Sequence, residues 1–80
     1  MSYPTEHEEM YVVQASENGI IRSEGAYNNE RTAIKHATRV IREADIIGEV
    51  DNVRILWEGE LVAEWVLEST ESGSSFIKVA

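Results

Sequence analysis

The sequence predicts an α+β fold: an antiparallel four-stranded sheet in ββαββ order, with one amphipathic helix over about residues 29–47 packed on one face. A short fifth strand at 76–80 is the further option. Three observations lead there. MYVVQAS runs into Asn18-Gly19, the dipeptide suited to the two positive φ angles of a type I′ hairpin turn. The stretch ERTAIKHATRVIRE has helical rather than strand periodicity, and NVRILWEGELVAEWVLE alternates apolar and polar residues on both sides of Gly59.

Residues 1–9 combine Pro4 with Glu6, Glu8 and Glu9, show no periodicity, and read as a mobile acidic lead-in. The single domain is expected over 10–68. In its first hairpin a two-residue loop pairs Ser16 with Ile21 and Ala15 with Arg22. Apolar residues then fall on both faces, so which face is buried stays open.

The helix is the clearest element. Asn28 or Asn29 supplies an N-cap carbonyl, and Glu30 sits in the first turn, where the helix dipole favours a carboxylate. At about 100° per residue, Ala33, Ile34, Ala37, Val40, Ile41 and Ala44 share an arc of roughly 120°. Alanine at 37 and 44 lets the helix sit close on a sheet. Gly48 is the expected stop, since it enters the left-handed region without a Cβ clash.

For the second hairpin, pairing Trp57 with Leu61 puts Ile55 opposite Ala63 and Val53 opposite Trp65 on one face. Leu56 then meets Val62, and Arg54 meets Glu64, on the other. A two-residue loop at Glu58-Gly59 would set Trp57 against Glu60, so an odd-length loop or a bulge at Gly59 is expected. Both tryptophans are assigned to the core. STESGSS at 69–75 reads as a polar linker, and FIKVA as a strand or an interaction tail.

Charge limits the partners. Fifteen acids against seven bases give a net charge of -8 and a pI of about 4.6. Such a surface repels nucleic acid and anionic membranes and attracts basic proteins. Four of the seven cations lie between residues 30 and 47. Set against Glu30, Glu43 and Asp45, they leave that segment at +1 and the rest of the chain at -9. Arg31, Lys35, Arg39 and Arg42 point away from the apolar arc, where they keep the helix soluble or serve self-association.

Chemistry has no visible carrier. There is no cysteine, no phosphate-binding glycine loop and no G-x-S-x-G elbow. His7 and His36 lie on unrelated elements, and His36, at the edge of the apolar arc, reads as an amphipathic filler. No catalytic residue, metal ligand or cofactor is therefore assigned, and the chain is expected not to be an enzyme. The absence of a basic n-region and of any apolar run near the ~20 residues a membrane span needs makes a cytoplasmic location the default.

Within TAIKHATRVIREA and VRILWEGELVAEW, the size, charge and element order resemble the small acidic accessory proteins of phages and mobile elements. These include anti-CRISPR and other host-takeover inhibitors. The resemblance implies an acidic surface that occupies a basic, nucleic-acid-binding host protein, and it carries over no individual residue. The partner-binding candidates, chosen by charge, are Glu49, Asp51, Glu58, Glu60, Glu64 and Glu68. A one-helix layer leaves the other sheet face bare, so Leu56, Val62 and Val66 are candidates for self-association. The alternative is a small dimeric cellular protein of structural or regulatory type, with a ligand or partner site on that uncovered face.

Overall fold

The computed structural model describes residues 10–80, and the acidic lead-in lies outside the described residues. The order is β1(Tyr11–Glu17), β2(Ile20–Tyr27), α1(Glu30–Ile47), β3(Asn52–Trp57), β4(Glu60–Thr70), β5(Gly73–Lys78). All five strands form one antiparallel sheet, ordered β2-β1-β3-β4-β5. The α+β class holds, but the four-stranded sheet becomes five-stranded. The polar stretch 69–75 supplies the end of β4, a tight turn and the start of β5, a full hairpin partner paired from Trp65↔Lys78 to Thr70↔Gly73. Serine and threonine there kept strand geometry because both sides of the pair are solvated, and a ladder of backbone bonds needs no apolar side chain to form.

The helix matches its sequence signals closely. Asn29 is the N-cap and its Oδ1 accepts the Thr32 amide at 2.8 Å, while Gly48 takes φ 72° and donates its amide to the Ala44 carbonyl. Such a cap contributes about 1 kcal/mol. Ala33 and Ala37 are fully buried against Val13, Ala15, Val53, Ile55 and Ala63. Ile34 departs from expectation: at 41% exposed it lies on the flank of the helix, beyond the part of the arc that reaches the sheet.

Both long hairpins use the same device. Asn18 and Gly19 have φ 52° and 83°, and Glu58 and Gly59 have φ 52° and 82°. These are two-residue loops of the I′ kind. Each is followed by a bulge on the returning strand, so that Arg22 and Val62 have no direct partner. The register near the second turn is thus corrected: Trp57 faces Glu60 and Leu56 faces Leu61. Beyond the bulge, Ile55↔Ala63, Arg54↔Glu64 and Val53↔Trp65 pair as expected. In the first hairpin Ser16↔Ile21 holds, but Ala15 meets Ser23 instead of Arg22. In each case the two-residue turn and the matched faces coexist because one extra residue absorbs the offset between them.

The tryptophans sit at the rim of the core. Trp65 is half-buried against the core cluster with Lys78 Nζ 6.0 Å above its ring, and Trp57 is half-buried beside Tyr11, with ring centroids 4.5 Å apart.

Candidate functional site

Strand alternation sends every second side chain away from the helix. The register gathers those side chains into transverse rows. Ala26, Val12, Leu56 and Leu61 make an apolar row; Glu24, Gln14, Arg54 and Glu64 make a charged one; Ile21, Ser16, Asn52, Val66 and Ile77 make a third. Glu68, opposite Ser75, extends the face toward the third turn. Ile21, Leu61 and Ile77 are large and exposed here. Leu56 and Val66, expected on this face, are on it and half-buried. Val62 is not grouped with them: as the bulge residue it packs against the helix-side core.

The polar groups of this face are tied to one another. Gln14 Nε2 donates to Glu24 at 2.8 Å, Asn52 Nδ2 donates to Glu64 at 2.9 Å, and the buried Ser16 hydroxyl reaches Asn52 Oδ1 at 3.4 Å. Arg54 lies between Gln14 and Glu64, yet its Nε is enclosed and has no hydrogen-bond partner among the described residues. Three carboxylates, Glu24, Glu64 and Glu68, share the face with this one guanidinium.

The six acidic candidates are not brought together. Glu58 stands in the turn and Glu60 directly after it at one end of the sheet; Glu49 and Asp51 lie at the other, after the helix; Glu64 and Glu68 alone are on the open face. Asp51 has a structural task, since its carboxylate accepts the Asn18 amide at 3.0 Å and its backbone bonds both Ser16 and Leu67. It joins the first hairpin turn to the β3 entry.

The basic helix residues have a setting that the helical wheel did not reveal. An open cleft of about 490 Å³ runs along the flank of α1. Among the described residues, Tyr27, Thr32, Lys35, His36, Thr38, Arg39 and Arg42 line it. Tyr27 ends β2, two residues before the N-cap, and its ring lies 4.9 Å from that of His36, tilted by 37°. The ring folds back over Gly25, where a Cβ would stand 2.7 Å from the phenol oxygen. Arg39 Nε pairs with Glu43 at 3.3 Å, and Arg31 is outside the cleft. His36, read as a filler, is therefore half-buried in a stack. Tyr27 was missed because nothing in its own strand pattern marks it. The glycine two residues earlier on the same strand face is the signal that could have found it.

Among the described residues no helix is long and apolar enough to cross a membrane, and no group of three or more His, Asp or Glu side chains could hold a metal ion. No protein-family model, curated protein or solved structure matches the chain.

Proposed function

We propose that the protein is a non-enzymatic protein–protein interaction module that docks through the sheet face opposite the helix onto a basic protein. The supporting observation is that face itself: Ile21, Leu61 and Ile77 are exposed beside Glu24, Glu64 and Glu68, with Arg54 the one cation there among the described residues. Apolar rows supply contact area, and the carboxylates select a positive partner and steer its approach. A host protein whose basic surface ordinarily holds nucleic acid fits this chemistry, which is how a phage-type inhibitor of the kind the sequence resembles would act.

A second reading is favoured by Arg54. Its guanidinium makes no salt bridge among the described residues, and carboxylates Glu24 and Glu64 lie in the same transverse row. Two copies stacked face to face about a two-fold axis bring each Arg54 toward the other copy's carboxylates, giving a homodimer on the same face. The two readings differ in salt response. Capture of a basic partner weakens steeply between low and high salt, whereas a homodimer that also covers Ile21, Leu61 and Ile77 of both copies weakens less. Affinity capture from cell lysate at both salt levels, with sedimentation of the purified protein alongside, separates them. Recovery of no basic protein at low salt, from a chain that sediments as a monomer, contradicts both.

A further inference from the structure

We infer that the cleft between Tyr27 and the outer flank of α1 is a binding site for a small phosphorylated ligand carrying a planar ring. Nothing in the proposed docking through the opposite sheet face requires such a site, and the two stand or fall separately.

The charge arrangement is the first support. The chain has about two acids for every base, yet the seven described lining residues include Lys35, Arg39 and Arg42 and no carboxylate. Solubility does not ask for this. Lys35 and Arg39 are spaced i,i+4 and Arg39 and Arg42 i,i+3, so each pair places like charges side by side, at a cost of about 0.2–0.5 kcal/mol per pair. Of these three cations Arg39 alone is ion-paired among the described residues, with Glu43; Lys35 and Arg42 are not. In a chain with acids to spare, three neighbouring cations with one counter-ion form a surface whose remaining charge is available to an anion.

The second support is the nature of the donors and of the wall. Two guanidinium groups and an ammonium, with the hydroxyl of Thr32, suit a phosphate: arginine forks onto paired oxygens and lysine contributes a point charge. The Thr38 hydroxyl is not among these donors, because its proton goes to the Ile34 carbonyl at 2.9 Å. Beside the cations, the Tyr27 and His36 rings pack against each other at a tilt of 37°, with Tyr27 seated over the bare Gly25, and give the cleft an aromatic wall. A flat ring laid on that wall gains stacking area. The cleft volume lies within the ~300–1,000 Å³ usual for small-ligand sites.

The test uses the full chain at low salt, isotopically labelled, titrated with adenosine triphosphate, tripolyphosphate and adenosine while backbone amide shifts are followed by NMR. The expected result is saturable binding of the triphosphate, with shifts concentrated at residues 27, 32, 35, 36, 39 and 42 and weaker binding of the other two probes. The Lys35→Gln/Arg39→Gln double variant should weaken it at least tenfold. Arg31→Gln, which removes a charge from the same helix outside the cleft, should change it less than twofold. Gly25→Ala, which displaces the Tyr27 ring, should bring the triphosphate down to the affinity of tripolyphosphate. The three helix positions are exposed and Gly25 lies on β2, an outer strand of the sheet, and the spectra themselves report whether each variant is folded. Diffuse shifts without saturation, equal losses from Arg31→Gln, or tripolyphosphate binding as tightly as the nucleotide in the unaltered protein would each overturn the inference.

Discussion

On the side of the sheet that meets α1, Val13, Ala15, Val53, Ile55 and Ala63 are at most 5% exposed; on the other side Val12 and Ser16 of the inner strand β1 are buried, while Ile21, Leu61 and Ile77 are between 39 and 50% exposed. The same strands build both surfaces, and period-two alternation means that each residue serves only one of them. The covered side is made from small and β-branched residues under two alanines of the helix, so its energy comes from close approach. The bare side carries larger apolar residues with charges between them, a composition suited to a second protein rather than to a helix of this chain. The difference teaches where substitutions should be felt: in stability on one side, in association on the other.

The largest expected effect is therefore on the covered side. Ile55→Ala removes a fully buried side chain from the centre of the sheet and should cost about 2–5 kcal/mol, measured by urea unfolding. Leu61→Ala, on the bare side, should cost under about 1 kcal/mol, because much of that side chain is already in water. Equal costs would mean that the bare face is covered in the isolated protein. Next in size, Ala37→Leu forces bulk between α1 and β1 or β3, and about 1–3 kcal/mol should be lost. Asn29→Ala, which strips the helix of its N-cap bond to Thr32, should lower stability by about 1 kcal/mol without altering the sheet. The smallest change goes the other way. Glu58 is held at φ 52°, a region that asparagine tolerates better, so Glu58→Asn should stabilise by several tenths of a kcal/mol, seen as a raised thermal midpoint. If it destabilises, Glu58 has a contact that offsets its backbone strain.

The helix was legible in the sequence end to end because its cap, apolar arc and terminating glycine are all local signals. The β4–β5 hairpin was not, since STESGSS has the composition of a linker, and its strand character depends on FIKVA folding back along Trp65 to Thr70. The second hairpin was legible in part. Face matching correctly paired Val53, Arg54 and Ile55, but it could not separate a bulge at Val62 from one at Gly59, because both restore the same register farther along. The bare face was anticipated in kind and through Leu56 and Val66, while Ile21, Leu61 and Ile77 depended on the bulges and on a strand order that no local pattern displays. For the cleft, a helical wheel gave the direction of Lys35, Arg39 and Arg42 but not what stood next to them. Tyr27 reaches them only through tertiary packing.

The central claim is that the bare face is the docking surface, and the variant Leu61→Asp/Val66→Asp tests it most directly. Affinity capture at low salt is compared between this variant and the unaltered chain, with thermal unfolding of both as the control. The account predicts that the basic partner recovered by the unaltered protein is lost while the fold is retained. Undiminished capture by the folded variant would place the docking surface elsewhere on the molecule and contradict the claim.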